Sequence, residues 1–434
     1  MRRMMPLAAC LLFNFACSDG KPPAPAGAAP AAAPAAAPAA AAPASAPKGE
    51  TTYHFGANPA RVKVIFESKT NVTNILGQTN QCTGSATIDF EKNTGSCHLV
   101  IPTLSLNSGM DDRDRAMHGK VWLDSKVNKT IEFKSKKAAV TAPNTWKIDG
   151  DFLFRGVTQP LSIEAEVKQV PPTIGQKLGE GAWIRVKTSF KVDIGQHGIK
   201  IDKSAQFTVE PIWNVAIELF ATTVKPADAP APVEAAEPDE VKVVRVSKLK
   251  SDGLPGTHYE FGKKPQLTTL RATSEAQIET IVATINASHG FVGIDKEKGV
   301  AGLRFHIPVA QIKTGIPMRD EHLRGETWLD EKKFPMIAFE STKATKKDDK
   351  TWAVEGTFMM RGVGKPLKLD VAVADIPAEE VKKANWGEKP GVRVTGDFKI
   401  KLSDHGVKNP DPTKINDELS VSIFLVGLLA DEAK

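Results

Sequence analysis

Apolar and polar side chains alternate with a period of two in several segments of this 434-residue chain. In IRVKTSFKVDI, at 184–194, every second residue is apolar or threonine, and charged residues or serine lie between them. The segment VRVTGDFKIKL, at 392–402, shows the same alternation, with one glycine on its apolar face. Such a period predicts antiparallel strands with one face on a core and the other in water.

The chain contains a long internal duplication. WKIDGDFLFRGVTQPLSI at 146–163 matches WAVEGTFMMRGVGKPLKL at 352–369 at an offset of 206, and a later match has an offset of 208. A repeat of this length is a duplicated domain, because solenoid units are about 20–50 residues long. We therefore expect an all-β protein with one antiparallel fold built twice. The length of each repeat suits a barrel of about eight strands.

Two short stretches interrupt the alternation, MDDRDRAMHG at 110–119 and PMRDEHLRG at 317–325. Each has an acidic residue near its start and ends at glycine, which predicts one short helix in each repeat. The arginine and aspartate inside each stretch are adjacent in sequence, so they cannot pair across a helix face. We expect them to hold loop or strand ends, and we expect the Trp-Leu-Asp and Phe-x-Ser that follow to return the chain to a strand.

The N-terminus has the layout of a bacterial export signal. Arg2 and Arg3 precede an apolar run that is too short to anchor in a bilayer and that is followed by small and polar residues. Because Cys17 ends this run, residues 1–17 resemble a lipoprotein signal, and we expect lipidation at Cys17. A cleaved, soluble periplasmic form is the alternative. Both place the protein in the bacterial cell envelope, in the periplasm, and the first anchors it to a membrane as a lipoprotein.

Two segments of biased composition divide the remaining chain. Residues 18–50 are rich in alanine and proline, which predicts a disordered, extended stalk. A second break rich in proline, alanine and glutamate lies within 225–256, which we interpret as a linker. The expected barrels therefore occupy 51–224 and 257–430.

The net charge of +6 and the pI near 8.9 are mild for this length. Lysine and arginine are spread along the polar faces, whereas a nucleic-acid binder concentrates basic residues on one surface. We therefore expect no nucleic-acid partner, while weak attraction to an anionic membrane surface is compatible with this charge. The sequence identifies no protein partner.

No motif for catalysis stands out. His197 and His405 recur in both repeats, but each precedes a glycine in a turn-like segment without a repeated base or nucleophile nearby. No cluster of histidine, cysteine and carboxylates has the spacing of a metal site in both repeats. We expect neither an enzyme nor a cofactor or metal.

Cys82 and Cys97 flank two predicted strands, and both fall on the apolar face. Export favours a disulfide between them. A turn near 89–94 would place them diagonally, so buried free thiols are the alternative. The second repeat has Ser288 and Leu303 at these places, so the fold does not require the bond.

TGIPMRDEHL at 314–323, followed by Trp-Leu-Asp, FPMIAFEST and VEGTFMMRGVGKPLKL, resembles the signature of the YceI-like family of bacterial periplasmic polyisoprenoid-binding proteins. The resemblance covers nearly all of both repeats and implies an extended, lipocalin-like barrel that holds an isoprenoid chain. It departs in the first repeat, where Ser108 and Ala116 replace a threonine and a histidine of the second. The signature residues are Arg113, Asp114, Trp122, Thr314, Arg319, Asp320, His322 and Trp328.

The inward faces are aliphatic with scattered phenylalanine, a surface that suits an apolar tail. We expect the pocket lining to include Val186, Phe190, Val192, Val394, Phe398 and Ile400. The leading hypothesis is an exported protein that sequesters or carries a polyisoprenoid or similar lipid. The alternative is a structural or interaction lipoprotein whose barrels are filled by side chains and which binds a protein partner. A further option has one working barrel, with the more divergent first repeat as a scaffold.

Overall fold

The computed structural model describes residues 47–56, 58–203, 205–226 and 249–431. The expected export signal with Cys17, most of the expected stalk and the central part of the expected linker lie outside these residues. In the described ranges, no helix has both the length and the apolar character needed to cross a membrane.

The first repeat folds into a closed antiparallel barrel, barrel 1. Its described elements are β1 (Thr51–Phe55), β2 (Val62–Lys69), β3 (Asn74–Thr79), β4 (Thr83–Asp89), β5 (Thr94–Pro102), α1 (Asp111–His118), β6 (Thr130–Ala142), β7 (Thr145–Phe154), β8 (Val157–Gln169), α2 (Pro172–Leu178), β9 (Trp183–Asp193) and β10 (Ile212–Thr222). Eight strands form the ring in the order β1-β4-β5-β6-β7-β8-β9-β10, which closes where β10 pairs with β1. The β2–β3 hairpin is added to β10 outside this ring.

The second repeat forms barrel 2 with the same topology. Its described elements are β11 (Thr257–Phe261), β12 (Thr268–Glu275), β13 (Thr280–Ile285), β14 (His289–Asp295), β15 (Val300–Pro308), α3 (Pro317–Arg324), β16 (Met336–Lys346), β17 (Thr351–Met360), β18 (Val363–Ile376), α4 (Ala378–Lys383), β19 (Gly391–Lys401) and β20 (Glu418–Leu429). β20 closes the ring on β11, and the β12–β13 hairpin is added to β20. The prediction of two antiparallel barrels of about eight strands is confirmed.

The helical predictions are partly confirmed. α1 and α3 lie where the acidic stretches predicted them, and Gly119 and Gly325 end them. The second short helix of each repeat, α2 and α4, was not predicted. The predicted return to a strand is confirmed for Phe-x-Ser, which lies in β6 and β16, and is wrong for Trp-Leu-Asp, which lies in turns before these strands begin at Thr130 and Met336.

The register of β4 and β5 corrects the expected disulfide. Ala86 pairs with Cys97, and Thr83 pairs with Val100. Extended by one residue, this register places Cys82 opposite Ile101. Cys82 is therefore four residues along the ladder from Cys97, about 14 Å at 3.4 Å per residue. A disulfide requires α-carbons within about 7 Å. Both cysteines are accordingly free thiols, and Cys82 is buried.

The two barrels pack through their added hairpins. Val72, at the tip of the β2–β3 hairpin, joins a buried cluster on the outside of barrel 2 with Val381 of α4 and Trp386. Ile278, at the tip of the β12–β13 hairpin, joins the corresponding cluster on barrel 1 with Leu178 of α2 and Trp183. Each repeat therefore inserts the same hairpin into the other, as in a symmetric dimer interface.

Candidate functional site

Barrel 1 encloses an apolar cavity of about 210 Å³. All eight strands of its ring supply part of the wall, because period-two alternation turns every second residue inward. Residues of α1 and of the turns after it complete one end. The main side chains of the wall are Phe55, Val64, Phe66, Ile88, Cys97, Leu99, Ile101, Leu106, Met117, Trp122, Leu123, Phe133, Trp146, Ile148, Phe152, Phe154, Leu161, Ile163, Val186, Phe190, Val192, Trp213, Val215 and Ile217.

The structure places Val186, Phe190 and Val192 of β9 in this wall. Their counterparts in barrel 2 are Val394, Phe398 and Ile400 of β19, which belong to the core of that barrel or pack against it. Val394 is buried, and Phe398 and Ile400 are half-buried. The alternation of each strand therefore gave the correct inward face in both repeats.

Aromatic side chains that the sequence analysis did not single out shape the cavity. Phe66 and Trp213 lie with ring centroids 5.7 Å apart, and Phe152 meets Phe190 edge-on at 6.2 Å. Trp146 and Phe152 belong to β7, where the alternation along 146–154 was the available signal. Phe66 and Trp213 come from β2 and β10, which are far apart in sequence, so only their pairing brings the rings together.

The cavity offers very little polar chemistry. Among its described lining residues, Ser96 and Thr188 are the two that carry hydroxyl groups. Burial raises the pKa of the Cys97 thiol, so this thiol stays protonated at neutral pH. A wall of this kind holds an apolar molecule by contact and excludes water, because it supplies few hydrogen bonds.

The first repeat departs from the second at several wall positions. At the β4–β5 side, Ala86, Cys97 and Leu99 correspond to Val292, Leu303 and Phe305 of barrel 2, which are larger. At the other side, Phe66 and Trp213 correspond to Ala272 and Leu419, which are smaller. The interiors therefore have the same chemical character and different shapes.

The signature aspartates hold the loop that precedes each first helix. Asp114 Oδ1 accepts hydrogen bonds from the backbone N and the Oγ of Ser108, at 2.7 and 2.5 Å. Asp320 Oδ1 accepts the same pair from Thr314, at 2.8 and 2.6 Å. Burial raises the pKa of the Asp114 carboxyl, although its hydrogen bonds with Ser108 oppose this. These contacts agree with the expected role at loop ends.

The signature arginines have different partners. Arg113 donates to the Oγ of Ser108 at 2.8 Å and to its carbonyl oxygen at 3.0 Å. Arg319 pairs instead with Glu279 in the β12–β13 hairpin. Burial raises the pKa of Glu279 and lowers that of Arg319, and their mutual attraction opposes both shifts.

The other signature side chains do not form a common site. Trp122 lines the cavity of barrel 1, and Trp328 packs against the core of barrel 2. His322 is exposed on α3. None of the predicted signature residues supplies a nucleophile or a base to the cavity of barrel 1.

The repeated histidines are buried in tight turns. His197 is 3% exposed, and its Nδ1 donates to the carbonyl oxygen of Val157 at 3.0 Å. His405 is 2% exposed, and its Nδ1 donates to the carbonyl oxygen of Val363 at 2.9 Å. Gly198 follows at φ 75°, a left-handed conformation that favours glycine. These histidines tie loops to strands, and no group of three or more metal-ligating side chains occurs among the described residues.

A buried lysine lies between the two barrels. Lys63 Nζ donates to Gln78 Oε1 at 2.8 Å and to the carbonyl oxygen of Thr314 in the other repeat at 3.3 Å. Lys63 as a whole residue is 4% exposed. Burial, with a further contribution from Arg319, lowers the pKa of Lys63 to about 7.

Two closed antiparallel barrels, each with an apolar interior and an Arg-Asp pair in its first α-helix, define the class of the fold. The YceI-like domain family matches residues 55–221 and 263–426, which is most of the chain. The chain therefore belongs to the YceI-like family, and the resemblance drawn from the signature is confirmed.

Curated relatives carry no assigned activity in their names. A UPF0312 protein of Pseudomonas putida is 33% identical over 105 residues, which are 24% of this chain and 52% of the relative. A UPF0312 protein of Serratia proteamaculans is 32% identical over 138 residues, 31% of this chain and 67% of the relative. The chain thus spans about half to two thirds of the length of these relatives.

Solved structures of similar proteins each align with part of the chain. BcnA of Burkholderia cenocepacia is 21% identical with a TM-score of 0.33, covering 37% of this chain and 95% of BcnA. A polyisoprenoid-binding domain from Saccharophagus degradans is 13% identical with a TM-score of 0.31, covering 40% of this chain and 98% of that domain.

Proposed function

We propose that this protein is an exported cell-envelope protein that sequesters or carries a polyisoprenoid or similar apolar lipid inside a barrel. The observation that carries the proposal is the cavity of barrel 1, which is enclosed by the ring of strands and walled by apolar side chains. A lipid tail gains free energy in such a site by leaving water, at roughly 25 cal/mol per Å² of apolar surface buried.

The size of the cavity supports a ligand site over a packing defect. Native cores rarely leave voids larger than a water molecule. A cavity of about 210 Å³ is many times the 10–15 Å³ that one water requires on a comparable measure. The proposal is that a narrow chain occupies this space lengthwise, and that the flexible side chain of Met117 and the paired rings of Phe66 and Trp213 adjust around it.

Barrel 1 is the better-supported binding site. The cavity lies in the more divergent repeat, which speaks against the option that the first repeat is only a scaffold. Barrel 2 has larger side chains along β14 and β15 and smaller ones on β12 and β20.

The cellular setting is part of the proposal. The N-terminal run that ends at Cys17 supports export and lipidation, and residues 18–50 support a stalk that holds the barrels away from a membrane. We place the barrels in 51–224 and 257–430, joined by the linker 225–256. Binding without catalysis is proposed, because the cavity wall offers no pair of groups suited to acid–base or nucleophilic chemistry.

Native mass spectrometry of the protein purified from the periplasm or membrane fraction tests this function, with a lipid extract of the same sample alongside. We expect an apolar ligand that co-purifies with the protein and that added isoprenoid displaces. A protein that is empty after purification and takes up neither isoprenoid nor fatty acid would contradict the proposal.

A further inference from the structure

The turns that follow α1 have two different faces. Trp122 and Leu123 point inward and line the cavity. Val121 and Val127, on either side of them in sequence, are 66% and 72% exposed. Leu104, which is 37% exposed, lies in the adjoining loop, where the backbone N of Thr103 donates to the carbonyl oxygen of Lys129 at 2.9 Å. We call Leu104, Val121 and Val127 the apolar rim.

Exposed lysines accompany the apolar rim. Lys120, Lys126 and Lys129 are all exposed in the segment 119–129, which has one acidic residue, Asp124. Exposed apolar side chains that are grouped on a surface mark an interaction site, and lysines beside them complement a negatively charged layer. The rim is therefore suited to a surface that is apolar inside and anionic outside.

Hydrogen bonds from the β7–β8 turn hold the backbone of the apolar rim in place. Arg155, in the β7–β8 turn, donates to the carbonyl oxygen of Lys120 at 3.1 Å and to that of Trp122. The backbone N of Val127 donates to the carbonyl oxygen of Asp124 at 2.9 Å. These bonds fix the turns, so the exposed valines are presented by a rigid base.

Barrel 2 has the same turns without the same surface. Leu104, Val121 and Val127 correspond to Ala310, Thr327 and Lys333, and Lys120 corresponds to Glu326. Arg361 donates to the carbonyl oxygen of Glu326 at 2.7 Å, so the backbone arrangement is shared. The segment 325–335 carries two lysines against three acidic residues. The apolar and basic character is thus a property of barrel 1, the barrel whose cavity the rim adjoins.

We infer that the apolar rim and its lysines dock barrel 1 on an anionic lipid bilayer. The valines and Leu104 enter the headgroup region, and the lysines bind the anionic headgroups. In this position the end of the cavity formed by Trp122 and Leu123 faces the membrane. The use of this contact for ligand loading or release rests on the proposed function, whereas the docking itself does not.

Vesicle flotation with the full protein tests the docking, with vesicles of phosphatidylglycerol and phosphatidylethanolamine compared with pure phosphatidylcholine. The double variant Val121→Thr/Val127→Lys gives barrel 1 the residues of barrel 2. It adds positive charge, so attraction by charge alone would strengthen binding. We expect its partition coefficient on the anionic vesicles to fall about tenfold, because apolar contact is lost.

Two further variants complete the test. Lys120→Glu/Lys126→Glu should also bind about tenfold more weakly at low salt, and less of this difference should persist at high salt. Met318→Thr is the matched control, since it removes an apolar side chain of barrel 2 that is 68% exposed, and it should bind as the wild type does. Unchanged or tighter binding of the valine double variant, or an equal loss with Met318→Thr, would overturn the inference.

Uptake of a fluorescent polyene fatty acid, measured on the same variants without vesicles, separates the two proposals. Rim variants that take up the probe normally but fail to bind vesicles place the defect in docking alone. A wild-type protein that binds vesicles through the rim but takes up no probe would leave the docking in place and remove the ligand function.

Discussion

Val72 and Ile278 occupy equivalent hairpin tips, 206 residues apart, and each is buried against the other repeat. Val72 is 3% exposed and Ile278 is fully buried at 0%. The contacts are reciprocal, since one tip packs beside α4 and the other beside α2. A duplicated domain thus joins its two copies through one surface used twice, as two subunits do in a symmetric dimer.

Polar contacts cross between the repeats around these tips. Arg61 donates to the carbonyl oxygen of Ile278 at 3.0 Å, and Asn286 Nδ2 donates to the carbonyl oxygen of Ser108 at 2.9 Å. Thr269, the counterpart of Lys63, donates to the carbonyl oxygen of Asn74 at 2.8 Å. Packing and hydrogen bonds together therefore fix the two barrels against each other.

The hairpin tip of barrel 2 should contribute strongly to stability. Ile278→Ala removes a fully buried side chain from a cluster with Leu178, Trp183 and Phe220. We expect the free energy of unfolding to fall by about 2–4 kcal/mol, as for other large-to-small core changes. Urea denaturation measures it, with Val363→Ala, at a position that is 36% exposed, as the control. Equal stability of the two variants would show that the tip contact is not stabilising.

Lys63 should give the protein a characteristic pH dependence. Its pKa is about 7 in the folded state and about 10.4 in an unfolded chain. Between these values the unfolded state binds one more proton, so stability rises with pH, by up to about 1.4 kcal/mol per unit. Below pH 7 both states are protonated, and the contribution no longer changes.

Lys63→Met tests this dependence, since methionine fills a similar volume without a charge. Between pH 7 and pH 9.5, the wild type should gain on the order of 2–3 kcal/mol relative to the variant in urea denaturation. Lys191→Met, at an exposed lysine on β9, should follow the wild type at both pH values. Parallel pH profiles for wild type and Lys63→Met would contradict the assignment.

Filling the cavity should remove the ligand. Cys97→Leu/Leu99→Phe places the side chains of barrel 2 on the β5 wall of barrel 1. We expect the fraction of protein carrying a co-purified ligand in barrel 1 to fall at least severalfold, because the added atoms occupy the apolar space. Native mass spectrometry measures it. Lys191→Gln, on the outer face of β9, is the control and should retain the wild-type occupancy. If the ligand lies elsewhere, the filled variant should also retain it.

The loop before α3 should depend on Asp320. Asp320→Ala removes the acceptor of two hydrogen bonds and leaves the buried backbone N of Thr314 without it. We expect a loss of about 1.5–3 kcal/mol in the free energy of unfolding. Asp112→Ala, whose carboxylate is 91% exposed and pairs with Arg115, should change it by less than about 0.5 kcal/mol. A loss as small as the control's would assign Asp320 no structural role.

Local features of the fold were readable from neighbouring residues. The alternation at 184–194 gave the inward face of β9, and Gly119 and Gly325 marked the ends of α1 and α3. α2 was missed because PTIGQKL combines an initial proline with an internal glycine and has too few residues for a helical period. The predicted disulfide was wrong because the alternation of apolar residues places Cys82 and Cys97 on one face of the sheet but does not fix their separation along the paired strands.

The sequence by itself determined the antiparallel strands, the inward faces and the family signature, because each depends on residues close together in the chain. It also determined the duplication, because that is a match between two stretches of sequence and needs no contact between them. The tertiary structure alone decided that barrel 1 has a cavity, since Phe66, Cys97, Phe152 and Trp213 meet only when the eight-stranded ring closes and β2 pairs with β10. It also decided that Val72 and Ile278 are buried between the repeats. Volume and contact depend on which distant residues come together, and a local period carries no information about either.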